Sequence, residues 1–342
     1  MRTLFKNIVL AIFILCLAMP SAKAQDNGSR ESLEHVGTSM ANYLKIGVGA
    51  RASAMGGAYV ALSDDITSLY WNPGGIGMVD HNEAVLHFTD WFMDSQIYFF
   101  GASYHIDRVG TIGLSLNSFD SGAIEETTVE EPEGTGRTFR AANHTIGLTY
   151  TRRLINRFSF GITLKYVEER LDRTQARALA IDIGSVYRTN FLNDMRIGFA
   201  MTNLGQRMNI SGSGLDFRVT RGQEGKPIQA SYLTSDWDLP LMFRFGLATE
   251  IFENDNYRLT VSGDVLDSRD FRYRLQTGAE FAFQDLIYLR GGYQFNYDIS
   301  DFSLGVGLEL PSYQNLGLRF DYSYENYMYF GGIQKISVFI TY

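Results

Sequence analysis

Eight charged residues in the C-terminal half of the chain, Arg244, Asp264, Arg274, Glu280, Arg290, Glu309, Arg319 and Asp321, come from successive segments with both signs interleaved. Such a set suits either of two chemistries. The charges can pair with one another, so that removing one leaves its partner poorly compensated, or they can line a polar pathway. Catalysis has less to work with. The histidines, His35, His81, His87, His105 and His144, lack the i, i+4 spacing of a helical zinc site. The single cysteine, Cys16, offers them no thiolate partner in a structural-metal set. Neither a Gly-x-Ser-x-Gly elbow nor a phosphate loop is present. These absences point away from an enzyme, a metal and a cofactor. One catalytic arrangement stays open, a serine and a histidine meeting across neighbouring strands, with His144 on an outward face beside Ile146, Leu148 and Tyr150.

The elements that must position the charges read as strands. From Ala84 onward the sequence alternates apolar and polar residues in segments of about ten, separated by turn-forming clusters. In one segment Leu316, Leu318, Phe320, Tyr322 and Tyr324 share a face, and Gly317, Arg319, Asp321, Ser323 and Glu325 share the other. Leu289 to Tyr297 and Phe271 to Phe283 repeat the pattern, with Leu289, Gly291, Tyr293, Phe295 and Tyr297 expected on one apolar face. A soluble sandwich would turn that face into a core. A membrane barrel would turn it to lipid and the charges to a lumen. Segment length favours the barrel, since sandwich strands average about five or six residues and these are nearly twice that. Aromatic residues crowd the strand ends at 293–297 and 322–329, and the final strand closes on Tyr342. The count is about 14 strands, an even number, with 16 open because the Gly205 to Leu239 connection can hide a hairpin. The long connections, Asp120 to Arg140 and Gly205 to Leu239, belong outside the cell and the short polar turns inside.

Arg2 and Lys6 precede an apolar run, Ile8 to Met19, and the small-residue exit Ala22-Lys23-Ala24. This pattern predicts a secretory signal peptide over 1–24, cleaved after Ala24. Cys16 lies inside the run behind Leu15, unlike a lipid-modification site. After the leader no apolar run reaches the ~18 residues of a membrane helix, which leaves a barrel as the way to span a bilayer. A formal charge of -8 argues against a nucleic-acid partner.

Residues 25–83 lack the alternation and are expected to form a hatch, followed by a barrel over 84–342. Ser63 is placed to cap a helix whose first turn holds Asp64 and Asp65. Asn72-Pro73-Gly74-Gly75 then makes a tight corner. A barrel this wide leaves an interior that its own side chains do not fill, so the segment is expected to plug the lumen, with Arg51, Asp64 and Asp65 among the wall charges.

The stretch "YLKIGVGARASAMGGAYVALSDDITSLYWNPGGIGMV" resembles the N-terminal region of the PorV/PorQ family, a branch of the FadL-type outer-membrane barrels. Arg51, Gly56, Gly57, Asp64, Asp65, Asn72, Pro73, Gly74 and Gly75 carry the motif. Gly74 stands where the family more often has Ala. Asn203-Leu204-Gly205 and "LPLMFRFGL" from Leu239 extend the likeness. The resemblance implies an outer-membrane location in a Gram-negative bacterium and association with type IX secretion. It also implies as partners outer-membrane lipid, a large translocon barrel and secreted cargo recognised by C-terminal signal domains. The FadL side implies a different function, uptake of hydrophobic small molecules, for which Phe92, Met93, Phe99 and Phe100 could supply an apolar pocket.

Overall fold

The computed structural model describes residues 37–220, 227–268, 270–314 and 316–342, so the expected leader 1–24 and the first part of the hatch lie outside the described residues. Fourteen antiparallel strands form a closed barrel. In chain order they are β1 (Glu83–Asp90), β2 (Gln96–Ile106), β3 (Gly110–Asp120), β4 (Ala141–Ile155), β5 (Phe158–Leu171), β6 (Thr174–Arg188) and β7 (Arg196–Gly205). The second half holds β8 (Met242–Glu253), β9 (Tyr257–Ser268), β10 (Phe271–Phe283), β11 (Ile287–Phe295), β12 (Ser300–Tyr313), β13 (Leu316–Tyr327) and β14 (Gly331–Thr341). Closure comes from β1 against β14, in register from Glu83↔Thr341 to Asp90↔Gln334. It removes the sheet edges, whose backbone groups would have no partners in hydrocarbon.

Alternation along each strand decides which side chains face lipid. On β4, Ile146, Leu148 and Tyr150 are exposed while Thr145, Thr149 and Thr151 are buried. On β13, Phe320 and Tyr322 are exposed and Asp321, Ser323 and Glu325 are buried. The outward side is thus an apolar band and the inward side is polar, as the period-two pattern requires. Tyr297 departs from it. The strand ends at Phe295, and Asn296 takes a left-handed φ of 62°, so Tyr297 turns inward and accepts a hydrogen bond from Gln276 (2.7 Å). The 205–239 connection does hide paired strands, Asp216–Thr220 with Pro227–Ser231 and Met208–Asn209 with Asp236–Trp237, but neither pair joins the wall sheet. The wall therefore has 14 strands and not 16.

The segment from Thr38 to Asn82 threads the lumen from one end of the barrel to the other. At the end carrying the long connections, Met40 N–H donates to the Asp238 carbonyl (3.0 Å), and Lys45 pairs with Asp270. At the opposite end Arg153 pairs with Asp80, and the Tyr342 N–H donates to the Asn82 carbonyl (3.0 Å). Between them lie two short helices, α1 (Ala50–Ala54) and α2 (Ser68–Trp71), and two single turns of 3-10 helix. Helix α2 starts later than the sequence suggests. Ser63 gives its hydroxyl to the Tyr59 carbonyl (2.7 Å) instead of capping, and Asp65 accepts from the Thr67 N–H ahead of the helix (2.9 Å). Ser63 is needed to fold the preceding loop against Tyr59, which leaves the turn before α2 to Asp65.

The long connections are assigned to the outside. With the only cysteine at position 16, single cysteines report this orientation. Ser213→Cys, exposed on the 205–239 connection, should react with a membrane-impermeant maleimide on intact cells, and Asp107→Cys, in the turn between β2 and β3, only after lysis. Equal labelling of both on intact cells would reverse or abolish the assignment.

Candidate functional site

Irregular backbone inside a barrel has few strand partners, so each hatch N–H and C=O must find a donor or acceptor on the wall or within the hatch itself. The inward serines, threonines and acids supply many of them. Asp264 Oδ2 accepts from the N–H groups of Tyr59 and Val60, both at 2.7 Å. Ser262 Oγ donates to the Ala58 carbonyl (2.7 Å), and Ser303 accepts from the Gly56 N–H (3.0 Å). Glu83 accepts from the Ile66 N–H (2.7 Å), and Ser337 from the Ala50 N–H (2.9 Å). The corner at 72–75 is held in the same way. The Asn72 side chain donates to the carbonyls of Val60 (2.8 Å) and Ser185 (3.0 Å) and accepts from the Gly74 N–H (3.0 Å). Thr151 and Ser159 donate to the carbonyls of Pro73 (2.5 Å) and Gly74 (2.7 Å).

These bonds demand close approach of main chains, which is what the hatch glycines allow. Gly56 sits at φ 66°, and a Cβ there would lie 2.8 Å from the Tyr293 nitrogen and 3.0 Å from the Thr277 carbonyl oxygen of the wall. Apolar packing covers the rest. Val48, Met55, Tyr59, Ile66, Leu69 and Trp71 form one buried cluster that reaches Val85, Phe99 and Phe339 of the wall.

At the centre lies an ion network that joins hatch to wall. Arg51 forms a two-pronged bond to Glu280 (Nε to Oε2 2.8 Å, Nη2 to Oε1 2.9 Å) and reaches Asp64 (2.6 Å) and the Tyr59 hydroxyl (3.1 Å). Arg290 bridges Glu280 (2.6 Å) and Asp321 (2.6 Å). Arg319 bridges Asp321 (3.1 Å) and Asp65 (2.7 Å). Arg196 joins Asp64 (2.9 Å) to Glu250. Buried charges in low dielectric persist when each has partners of opposite sign and good geometry, and here each guanidinium pairs with at least two acids.

Of the wall charges singled out in sequence, Glu280, Arg290, Arg319 and Asp321 thus come together with Arg51, Asp64 and Asp65. The others go elsewhere. Asp264 binds backbone, Glu309 accepts from the Tyr288 hydroxyl (2.9 Å), and Arg244 and Arg274 border a separate cavity. Sequence reasoning passed over Tyr59, Arg196 and Glu250, and also the buried pairs Lys335–Glu325 (2.9 Å) and Lys165–Asp182 (2.5 Å). A cation on the inward face of a period-two segment was the available signal for Lys165 and Lys335.

The hatch leaves a cavity on each side. The outer one, about 380 Å³, is bordered by Trp71, Trp91, Tyr297, Tyr327, Arg244 and Arg274. The inner one, about 370 Å³, is bordered by Arg51, His81, Glu83, Arg258, Glu309 and Arg319. Phe92, Met93, Phe99 and Phe100 do not form a pocket together. Phe99 is buried in the hatch core, Phe100 faces outward and Met93 is exposed. Ser118 and His144 do meet across β3 and β4 (3.0 Å). Glu168, the strand neighbour of His144, turns to Arg170 and Arg177, and no described acid bonds His144 to make a triad with Ser118.

Residues 29–222 match the family described as type IX secretion system protein PorV. No curated protein matches the sequence. Among solved structures, a Pseudomonas aeruginosa FadL homologue is similar at 12% identity and TM-score 0.51, over 87% of this chain and 98% of that one. The Ralstonia pickettii toluene transporter TbuX is similar at 13% identity and TM-score 0.55, over 86% and 97%. The Pseudomonas putida toluene transporter TodX is similar at 11% identity and TM-score 0.52, over 86% and 97%. At these identities the likeness is one of fold.

Two measurements probe the lock. Glu280→Gln strips the shared acid from two buried guanidinium groups and should cost about 3–5 kcal/mol in guanidinium unfolding of the solubilised barrel. Arg51→Met combined with Glu280→Gln should cost less than the sum of the two single changes. An unchanged midpoint for Glu280→Gln would show that the network carries no stability.

At the inner exit of the hatch, the hydrogen bond that His81 Nε2 donates to Glu83 (3.0 Å) raises the His81 pKa above 6.5, against a smaller opposing effect of burial. A raised folded-state value means that the stabilisation is complete below the ordinary pKa and is lost as pH rises through the raised one. Glu83→Gln should bring the His81 NMR titration down toward 6.5, and an unmoved titration would exclude Glu83 as the cause.

Proposed function

Because this chain belongs to the family of the type IX secretion system protein PorV, we propose that it is a non-enzymatic outer-membrane component of that system. It binds secreted cargo, the translocon or both, and passes cargo to surface attachment. On this reading the mature chain begins after Ala24, 25–83 is the hatch and 84–342 the barrel. The partners are a large translocon barrel and the C-terminal signal domains of cargo.

The observation that carries the proposal is the outer connection between β7 and β8. It is built of paired strands and presents Val219, Ile228, Tyr232, Leu233 and Trp237 to solvent, with Leu233 fully exposed. Apolar residues displayed together above a rigid barrel are what a protein-binding surface needs. The locked hatch supports the same reading, since a lumen crossed by buried ion pairs suits a scaffold better than a conduit for a polypeptide. A second reading, uptake of hydrophobic small molecules, is favoured by the aromatic wall of the outer cavity. Its mixed lining of arginine, lysine, glutamine and glutamate favours it less.

Affinity isolation from mildly solubilised outer membranes separates the two. A very large barrel or secreted proteins with C-terminal sorting domains should co-purify, whereas the barrel alone with bound lipid would favour uptake. Shortening 210–235 should then reduce delivery of cargo to the surface severalfold without loss of folded barrel. Unchanged delivery would remove that connection from the proposal.

A further inference from the structure

The outer cavity holds two arginines for which the ion network gives no explanation. Arg244 on β8 and Arg274 on β10 both stand opposite Leu266 of the intervening strand β9. They are therefore at one height, two strand spacings or about 10 Å apart. Neither forms an ion pair with another described residue. Arg244 is 3% exposed, and its guanidinium finds neutral partners, the Thr202 hydroxyl (3.3 Å), the Met242 sulfur (3.6 Å) and the Tyr70 side chain. Its nearest strand neighbour of opposite sign, Asp264, spends one oxygen on the hatch N–H groups and attracts Arg244 through space without forming an ion pair within 4 Å. The guanidinium lies over the Trp71 ring (5.2 Å), and that of Arg274 lies between Phe271 (3.9 Å) and Tyr297 (4.1 Å). The Nε atoms of both arginines are buried and make no hydrogen bond to another described residue.

Below them the polarity reverses. Gln276 and Gln294 are strand partners on β10 and β11, both buried. Each uses its amide NH2 on a neighbour, the Tyr297 hydroxyl (2.7 Å) and Glu325 (3.1 Å), and each leaves its Oε1 without a donor among the described residues. The other cations of the cavity are committed, Lys335 to Glu325 and Lys45 to Asp270. The buried polar atoms left unspent are thus on two cationic forks and two neutral acceptors, within one aromatic-walled space of about 380 Å³ at the small end of ligand pockets, with the exposed Asp298 carboxylate on its border.

We infer that the outer cavity binds a terminal carboxylate with amide N–H groups beside it, which is the chemistry of a peptide C-terminus. Guanidinium forks match a carboxylate in charge and geometry, and the glutamine oxygens accept the adjacent N–H groups. The aromatic rings receive the terminal side chain. The ligand is either a free short peptide or the end of a longer secreted chain, and the inference holds whether or not the barrel serves secretion.

Two of the chain's three tryptophans, Trp71 and Trp91, border the cavity, so intrinsic fluorescence of the full-length purified barrel reports occupancy. N-acetylated tripeptides with a free carboxylate should quench or shift it saturably, and the same peptides as C-terminal amides should not. Arg244→Gln and Arg274→Gln should each weaken the acid form roughly tenfold to a hundredfold, the range of hydrogen bonds to charged groups. Arg274→Gln should leave the unfolding midpoint near that of the parent, because this half-buried guanidinium pairs with no acid among the described residues, so its loss of binding would not be a loss of fold. A hexapeptide copying the last residues of a co-purifying secreted protein, compared with a scrambled one, tells the two sources apart. Equal affinity assigns the site to short peptides, and a preference for the copy assigns it to the end of the secreted chain. Equal binding of acid and amide, no response up to millimolar peptide, or full retention of binding in both variants would overturn the inference.

Discussion

Main chain without regular structure cannot sit at membrane depth unless its N–H and C=O groups are bonded there, and this constraint organises the molecule. The segment from Thr38 to Asn82 meets it by drawing on the inward face of the barrel. Asp264, Ser262, Ser303, Ser337, Glu83, Thr151 and Ser159 each bond a hatch backbone group. The wall therefore needs many small hydroxyl residues facing in, and the hatch needs glycines that let the two main chains come close. Gly56 against Tyr293 and Thr277 is the tightest expression of that fit at a left-handed residue.

The same inward face carries two electrostatic designs of opposite logic. In the centre, Arg51, Arg290 and Arg319 alternate with Glu280, Asp321 and Asp65, and each charge is answered by at least one other. Toward the outside, Arg244 and Arg274 have aromatic faces for company and no acid within bonding distance among the described residues. Paired charges hold a structure, whereas unpaired charges cost stability and are retained for what they bind. The barrel thus divides into a locked middle and an outer chamber with binding capacity to spare, below connections that display apolar side chains.

Period two is a local property, and for that reason the strands were legible. Thr145, Thr149 and Thr151 against Ile146, Leu148 and Tyr150 can be sorted without knowing what lies on either side. The same alternation placed all eight wall charges inward. It failed at Tyr297, where a single left-handed residue ended the strand and reversed the side, and backbone reversal of that kind leaves no mark on the hydrophobic pattern. It also misjudged Ser63, because a capping pattern competes with any nearby carbonyl, and the Tyr59 carbonyl wins.

By itself the sequence determined the wall, its alternating strands and the faces they present, and a non-alternating, glycine-rich segment unable to stand alone, while the choice between 14 and 16 strands fell to the structure. Only the tertiary structure decided who pairs with whom. Arg51 and Glu280 are 229 positions apart, and nothing local distinguishes Arg290, which bonds two acids, from Arg244, which bonds none among the described residues. An ion pair depends on a few ångströms of separation, and those distances are set by barrel closure and by the path of the hatch, which no run of neighbouring residues encodes.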